Sequence, residues 1–141
     1  MSYPIEFKVK SLAGPGIKNK WSASFCEGEL EMAIPPCFEG NGGGFSPEDI
    51  YALALLNCFL ATFKVFAEKS RLSFDKIEGE AKLRVDTTDS KLPWMAQVDI
   101  NLILYSPDNL ERAERILKKT MENSMIINSV KSQVKINWEI K

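Results

Sequence analysis

The chain has three cysteines, at positions 26, 37 and 58, and no histidine, which bounds the chemistry it can attempt. Without an imidazole, Ser-His-Asp and Cys-His relays and His-ligated zinc are excluded. A thiol is then the strongest nucleophile on offer, and it acts as the thiolate. Cys58 lies in the run Ala52-Leu53-Ala54-Leu55-Leu56-Asn57-Cys58-Phe59-Leu60-Ala61, where a lone cysteine is ordinarily a small core hydrophobe. A reactive Cys58 therefore requires a cation delivered from elsewhere in the chain. Cys26 falls on a predicted strand and Cys37 in a loop, so packing or incidental exposure is the default for both.

Other chemistries find less support. Gly42-Gly43-Gly44 precedes a predicted helix as a phosphate loop would, but no Lys-Ser or Lys-Thr follows it. Glu48 and Asp49 would also compete with an anion for the first-turn amides. The run reads as a flexible hinge into the helix. Asp86 and Asp89 lack the spacing of a calcium loop, so no metal site is expected. Lys and Arg total 18 against 19 Asp and Glu, a net charge of −1, which offers no basic excess for nucleic acid. The longest apolar stretch, Ile50 to Phe63, is shorter than the roughly 20 residues of a membrane span. The Met1 to Glu6 start lacks the basic and apolar regions of a signal peptide, and three cysteines do not make a secreted disulfide framework. A cytoplasmic, single-domain chain over residues 1–141, with no nucleic acid, membrane or cofactor partner, is the expectation.

The elements that must position Cys58 are legible from periodicity. Strict alternation of apolar and polar residues predicts about six strands: around Ile5-Phe7-Val9, Trp21-Ala23-Phe25, Leu30-Met32-Ile34, Ile77 to Val85, Val98 to Leu104, and Val134 to Ile140. One wet face on each predicts antiparallel sheets. Two segments break the alternation. The first helix begins at Ser46-Pro47-Glu48-Asp49, with Ser46 as N-cap and Pro47 at the first helical position, and runs to about Arg71. Its first half is apolar nearly all round, which predicts burial on nearly every side. The second opens at Ser106-Pro107-Asp108-Asn109 and carries the stripe Leu110, Ala113, Ile116, Leu117 and Met121, a surface helix packed on a sheet. The class is α+β with order β-β-β-α-β-β-α-β. A helix too apolar for one small sheet to cover predicts a homodimer.

The phrase from Ser46 to Cys58, following a Gly-rich loop, resembles the OsmC/Ohr family (osmotically inducible protein C and organic hydroperoxide resistance protein). The family pattern is [NS]-P-E-x-[LI]-x-A-x-x-x-[SA]-C, and the Pro-Glu to Cys spacing matches without a gap. The element order and a Pro93-Trp94 turn before the next strand extend the resemblance over nearly the whole chain. It implies an OsmC-like fold, an intertwined homodimer and a thiol-dependent peroxidase. In that family the helix cysteine, here Cys58, attacks the peroxide oxygen and becomes a sulfenic acid, and a second cysteine near the end of the second helix resolves it. The Pro-Glu glutamate, here Glu48, and a loop arginine stabilise the thiolate. The chain departs from this pattern twice. Ser124 holds the place of the second cysteine, and the 14–20 segment offers only Lys18 and Lys20 for the arginine.

The resemblance thus implies a one-cysteine cycle on small hydrophobic peroxides, with Cys58, Glu48, Lys18 and Lys20 at the site and an external thiol as reductant. Cys37 is a conceivable substitute resolver. Ten residues of helix span about 15 Å, so Glu48 would serve the cysteine of a second copy or act through a lysine. The alternative is a non-catalytic protein of the same fold that binds a hydrophobic small molecule at the dimer interface.

Overall fold

A computed structural model describes residues 2–141. Six strands and two long helices follow in the expected order: β1 (Val9–Leu12), β2 (Trp21–Phe25), β3 (Gly28–Met32), α1 (Pro47–Lys69), β4 (Lys76–Thr87), β5 (Pro93–Tyr105), α2 (Leu110–Asn123) and β6 (Gln133–Ile140). The chain divides into two compact units, one ending at Ile50 and the other Tyr51–Lys141.

The first unit is built on the antiparallel sheet β1-β2-β3. Alternation starting at Ile5 predicts a longer first strand than is formed. β2 ends at Phe25, which pairs with Val9, so residues before Val9 have no β2 partner left to meet. Ile5, Phe7 and Val9 are all exposed. Phe25 also pairs with Gly28, which places Cys26 and Glu27 in a two-residue turn, not on a strand as expected. Cys26 has φ +43°, the left-handed backbone that such hairpin turns demand. Nor does β3 continue to Ile34. The chain bends after Met32, and Phe45 bridges back alongside it. The Gly-rich run is therefore folded rather than a free hinge. Gly42 N–H donates to the Ile34 carbonyl at 3.0 Å, and a Cβ on Gly40 would collide with that carbonyl.

Ser46 and Asp49 start α1 as the sequence predicts. Ser46 Oγ accepts from Asp49 N–H at 3.0 Å, and Asp49 Oδ2 accepts from Ser46 N–H at 2.9 Å. This reciprocal pair satisfies two donors that a helix N-terminus leaves open. The other end closes at Lys69, two residues short of expectation. Arg71 adopts φ +54°, and Leu72 N–H returns to the Ala67 carbonyl at 2.8 Å. These bonds cap the last carbonyls and turn the chain out of the helix.

In the second unit, β4 and β5 form a long antiparallel hairpin from Lys76↔Tyr105 to Thr87↔Pro93, with an irregularity between Arg84 and Val85. Its turn is residues 88–92, so Pro93 and Trp94 belong to β5 rather than to a turn before it. Tyr105 donates to Glu78 across this pair at 3.1 Å. The hydrogen bond to that carboxylate, aided by desolvation and by the charges of Glu78 and Glu139, raises the phenol above its usual 10.0. β6 departs from the antiparallel expectation. It runs parallel to β5, from Gln97↔Gln133 to Leu104↔Ile140. The reason is topological: β5 and β6 are joined by a crossover through α2, and such a connection returns the chain in the same direction.

β5 is the central strand, and its Val98, Ile100, Leu102 and Leu104 form the core with Leu55, Leu56, Phe59, Phe63 and Ala67 of α1 and Ala113, Ile116 and Leu117 of α2. Gly79 on β4 lets α1 approach closely, since a Cβ there would lie 2.7 Å from Leu56 Cδ1 and 2.9 Å from Leu102 Cδ2. Two sequence expectations shift here. Leu110 and Met121 at the margins of the α2 stripe are exposed, and Thr120 is buried in their stead. α1 is buried along one side, with Leu53 41% and Val65 49% exposed, because the sheet of the second unit covers a single face. α1 extends beyond the apolar stretch Ile50 to Phe63 at both ends. Its 23 residues are long and apolar enough, by length and composition alone, to cross a membrane.

Phe59 is fully buried between these layers. Phe59→Ala should therefore lower unfolding free energy by roughly 3–5 kcal/mol. Lys64→Ala, on the exposed side, should stay within about 0.5 kcal/mol. Urea unfolding midpoints at constant slope distinguish the two.

Candidate functional site

Helical geometry decides where Cys58 sits. Leu53, Asn57, Ala61 and Val65 follow one another at i+4 along the exposed side of α1, while Leu55, Phe59 and Phe63 run down the buried side. Cys58 lies at the border between these rows and is half-buried. Its thiol is therefore neither sealed in the core nor free in solvent.

What meets it is the segment after α2. The last carbonyls of a helix need donors from outside its ladder, and here side chains supply them. Asn123 Nδ2 donates to Lys119 O at 2.8 Å, Ser124 Oγ to Thr120 O at 2.6 Å, and Asn128 Nδ2 to Glu122 O at 2.9 Å. Ser124 is fully buried and leaves the helix with extended backbone, φ −78° and ψ 102°. Asn128 N–H then donates to Ser124 O at 2.9 Å, and Ser129 Oγ to Met125 O at 2.7 Å. The turn so fixed directs the Ile126 N–H at Cys58 Sγ, 3.3 Å away. Among the described residues no carbonyl accepts from this N–H; sulfur is its partner.

Ser124 stands at the end of α2, two residues before the amide that meets Cys58. Its hydroxyl is already committed to a backbone carbonyl. Ile126 could not be singled out from sequence, because it acts through its backbone N–H and any residue type but proline carries one. The only available signal was the end of the α2 stripe, which fixes where the chain must turn.

The other expected residues belong to the first unit. Lys20 Nζ pairs with Glu31 Oε1 at 3.0 Å, both side chains being substantially exposed. The Lys18 ammonium has no carboxylate within 4.0 Å among the described residues, and the Lys18 carbonyl accepts from Asn41 Nδ2 at 3.5 Å. Glu48 lies in the first turn of α1, and its Oε2 is buried with no hydrogen-bond partner. An unpaired buried carboxylate oxygen is costly and calls for a donor or cation. α1 is uninterrupted from Pro47 to Lys69, so Glu48 is about 15 Å along the helix from Cys58 of its own chain. Cys26 and Cys37 are exposed free thiols, the latter in a 3₁₀ turn at Pro36–Phe38. Among the described residues no group of three or more Cys, Asp or Glu is arranged to hold a metal ion.

Comparison with known proteins agrees with this architecture. An uncharacterized protein of Acinetobacter baylyi is 20% identical over 113 residues, covering 79% of this chain and 77% of its own. An OsmC-like protein of unknown function from Vibrio cholerae superposes with a TM-score of 0.83 at 16% identity, over 96% of this chain and 100% of that one. An organic hydroperoxide resistance protein OsmC from Legionella pneumophila superposes with a TM-score of 0.71 at 18% identity, over 99% of each chain. The sequence profile of the OsmC-like proteins matches residues 40–139, the span from the Gly-rich loop through α1 and Cys58 to β6. With that match over most of its length, the chain belongs to the OsmC-like protein family.

Proposed function

We propose that the protein is a single-domain, cytoplasmic, thiol-dependent peroxide reductase that acts on organic hydroperoxides through Cys58 and is recycled by an external thiol. The observation that carries this reading is the half-buried thiol receiving a backbone N–H at 3.3 Å. A directed amide is the kind of donor that holds a thiolate, and later a sulfenate, in place. Solved relatives named as organic hydroperoxide resistance proteins support the choice of substrate. So do Leu53, Ala61 and Val65, the apolar members of a row that Asn57 interrupts, since they favour an alkyl or aryl peroxide over hydrogen peroxide.

The thiolate attacks the distal peroxide oxygen. An S–O bond forms, the O–O bond breaks, and the alkoxide takes a proton and leaves as the alcohol. Sulfur is oxidised by two electrons and the peroxide is reduced by two. A thiol then displaces hydroxide from the sulfenic acid as water, and a second thiol releases Cys58 and carries off the disulfide. Lys18 supplies the cation this cycle needs, with Lys20 in reserve because Glu31 already neutralises it. Glu48 works across a homodimer, on the lysine or thiol of the second copy. The dimer also answers the exposure of α1, of whose most apolar window only 28% is buried within one chain.

Peptide mass spectrometry after one equivalent of cumene hydroperoxide should find oxidation concentrated at Cys58, with hydrogen peroxide reacting more slowly. Thiol-driven peroxide consumption should vanish in Cys58→Ser. Equal, slow oxidation of all three cysteines would refute the enzyme and leave the hydrophobic-ligand protein as the better description.

Sedimentation should give twice the mass of the chain. Leu53→Glu and Val65→Glu, each placing a charge on the exposed row of α1, should shift the equilibrium strongly toward monomer. A monomeric parent protein would rule out the interface.

A further inference from the structure

Resting on the peroxide-reductase reading, we infer that the backbone nitrogen of Ile126 resolves oxidised Cys58, closing a Cys58–Ile126 sulfenamide where a disulfide would otherwise form. Three observations lead there. The segment that meets Cys58 contains no thiol, and its nearest hydroxyl group in sequence, Ser124, is bound to the Thr120 carbonyl. The Ile126 N–H lies 3.3 Å from Cys58 Sγ and donates to no carbonyl among the described residues. The turn carrying it is exposed at Met125 and Ile126, 72% and 43%, so closing the gap to bonding distance moves surface backbone and leaves the core intact.

The chemistry balances without a further oxidant. After the hydroperoxide has converted Cys58 to the sulfenic acid, the amide nitrogen attacks sulfur. The S–N bond forms, the S–O bond breaks, and the hydroxyl leaves with the amide proton as water. Condensation of a sulfenic acid with a backbone nitrogen is an established step of thiol oxidation. No redox change occurs in it, so the sulfur keeps its two-electron oxidation. An external thiol then attacks sulfur, the S–N bond breaks, the nitrogen recovers a proton, and a second thiol restores Cys58. Because the sulfenamide carries no free sulfenic acid, it also shields Cys58 from the irreversible sulfinic and sulfonic acids.

The test uses the full-length Cys26→Ser/Cys37→Ser protein, which has one thiol and can form no internal disulfide. One equivalent of cumene hydroperoxide should give a single-chain product lighter by about 2 Da, reversed by dithiothreitol, with little dimedone adduct. Non-reducing digestion should join the tryptic peptide 21–64 to 120–131 through Cys58 and Ile126. Ile126→Ala keeps the N–H and should keep the product. Ile126→Pro removes the N–H at a residue whose φ of −65° proline can adopt. That variant should instead accumulate a product heavier by about 16 Da that dimedone traps, followed by one heavier by about 32 Da. If Ile126→Pro does not fold, the joined peptide in the single-thiol protein still decides the matter. A stable sulfenic acid, a dimedone adduct in high yield, or a Cys58 disulfide between two copies would overturn the sulfenamide while leaving a peroxide-reactive thiol. A Cys58 that stays unmodified would overturn both readings.

Discussion

Covering α1 is the constraint on which the structure depends. Twenty-three residues of largely apolar helix must find neighbours, and a three-stranded sheet can offer them only to one side. The solution centres on β5, which is buried at every second residue from Ala96 to Leu104 and is paired on both edges. Gly79 lets Leu56 down onto the sheet, and α2 completes the layer with Ala113, Ile116 and Leu117. Cys58 inherits its position from this arrangement. A residue one step round the helix toward Leu55 and Phe59 would be core, and one step the other way would be surface.

The border position matters because a working thiol needs both conditions at once. Apolar surroundings keep bulk water from competing for a thiolate's donors. Access is needed for any reagent to reach the sulfur. Within the second unit the only directed donor to the sulfur among the described residues is the Ile126 N–H. That donor is fixed by the way α2 ends, through three side chains that satisfy its final carbonyls. The core and the candidate site are thus linked through one helix terminus, so a change at Thr120 or Ser124 acts on the sulfur without touching it.

Periodicity made the fold legible wherever one chain supplies both faces of an element. β4, β6, the Val98–Leu104 part of β5 and the capping pair Ser46 and Asp49 fall where alternation and cap chemistry put them. It misled at Ile5 and Phe7, whose alternating pattern is exposed because β2 is too short to pair with them. The direction of β6 was not legible either. Alternation reports which face is wet, whereas parallel pairing follows from the α2 crossover and leaves no mark on the β6 residues themselves. Residue type singles out Cys58, whereas Glu48 is raised by the family resemblance and lies in the first turn of α1, about 15 Å along the helix. The donor to Cys58 is not legible in the sequence, because a backbone amide has no residue-type signature.

Ser124 is best understood as a structural gain rather than only a missing thiol. Its hydroxyl makes a 2.6 Å bond to Thr120 O inside a fully buried environment. A thiol is a weak donor and would satisfy that carbonyl poorly. An unsatisfied buried carbonyl at a helix end costs about 1–3 kcal/mol and loosens the turn that follows. With serine, the helix end is firm and the Ile126 amide is held on the sulfur. With cysteine in its place, a second sulfur would come to the same segment at the expense of the bond that anchors it. Ser124 therefore anchors the end of α2 and leaves only the exposed turn at Met125 and Ile126 free to shift against the sulfur.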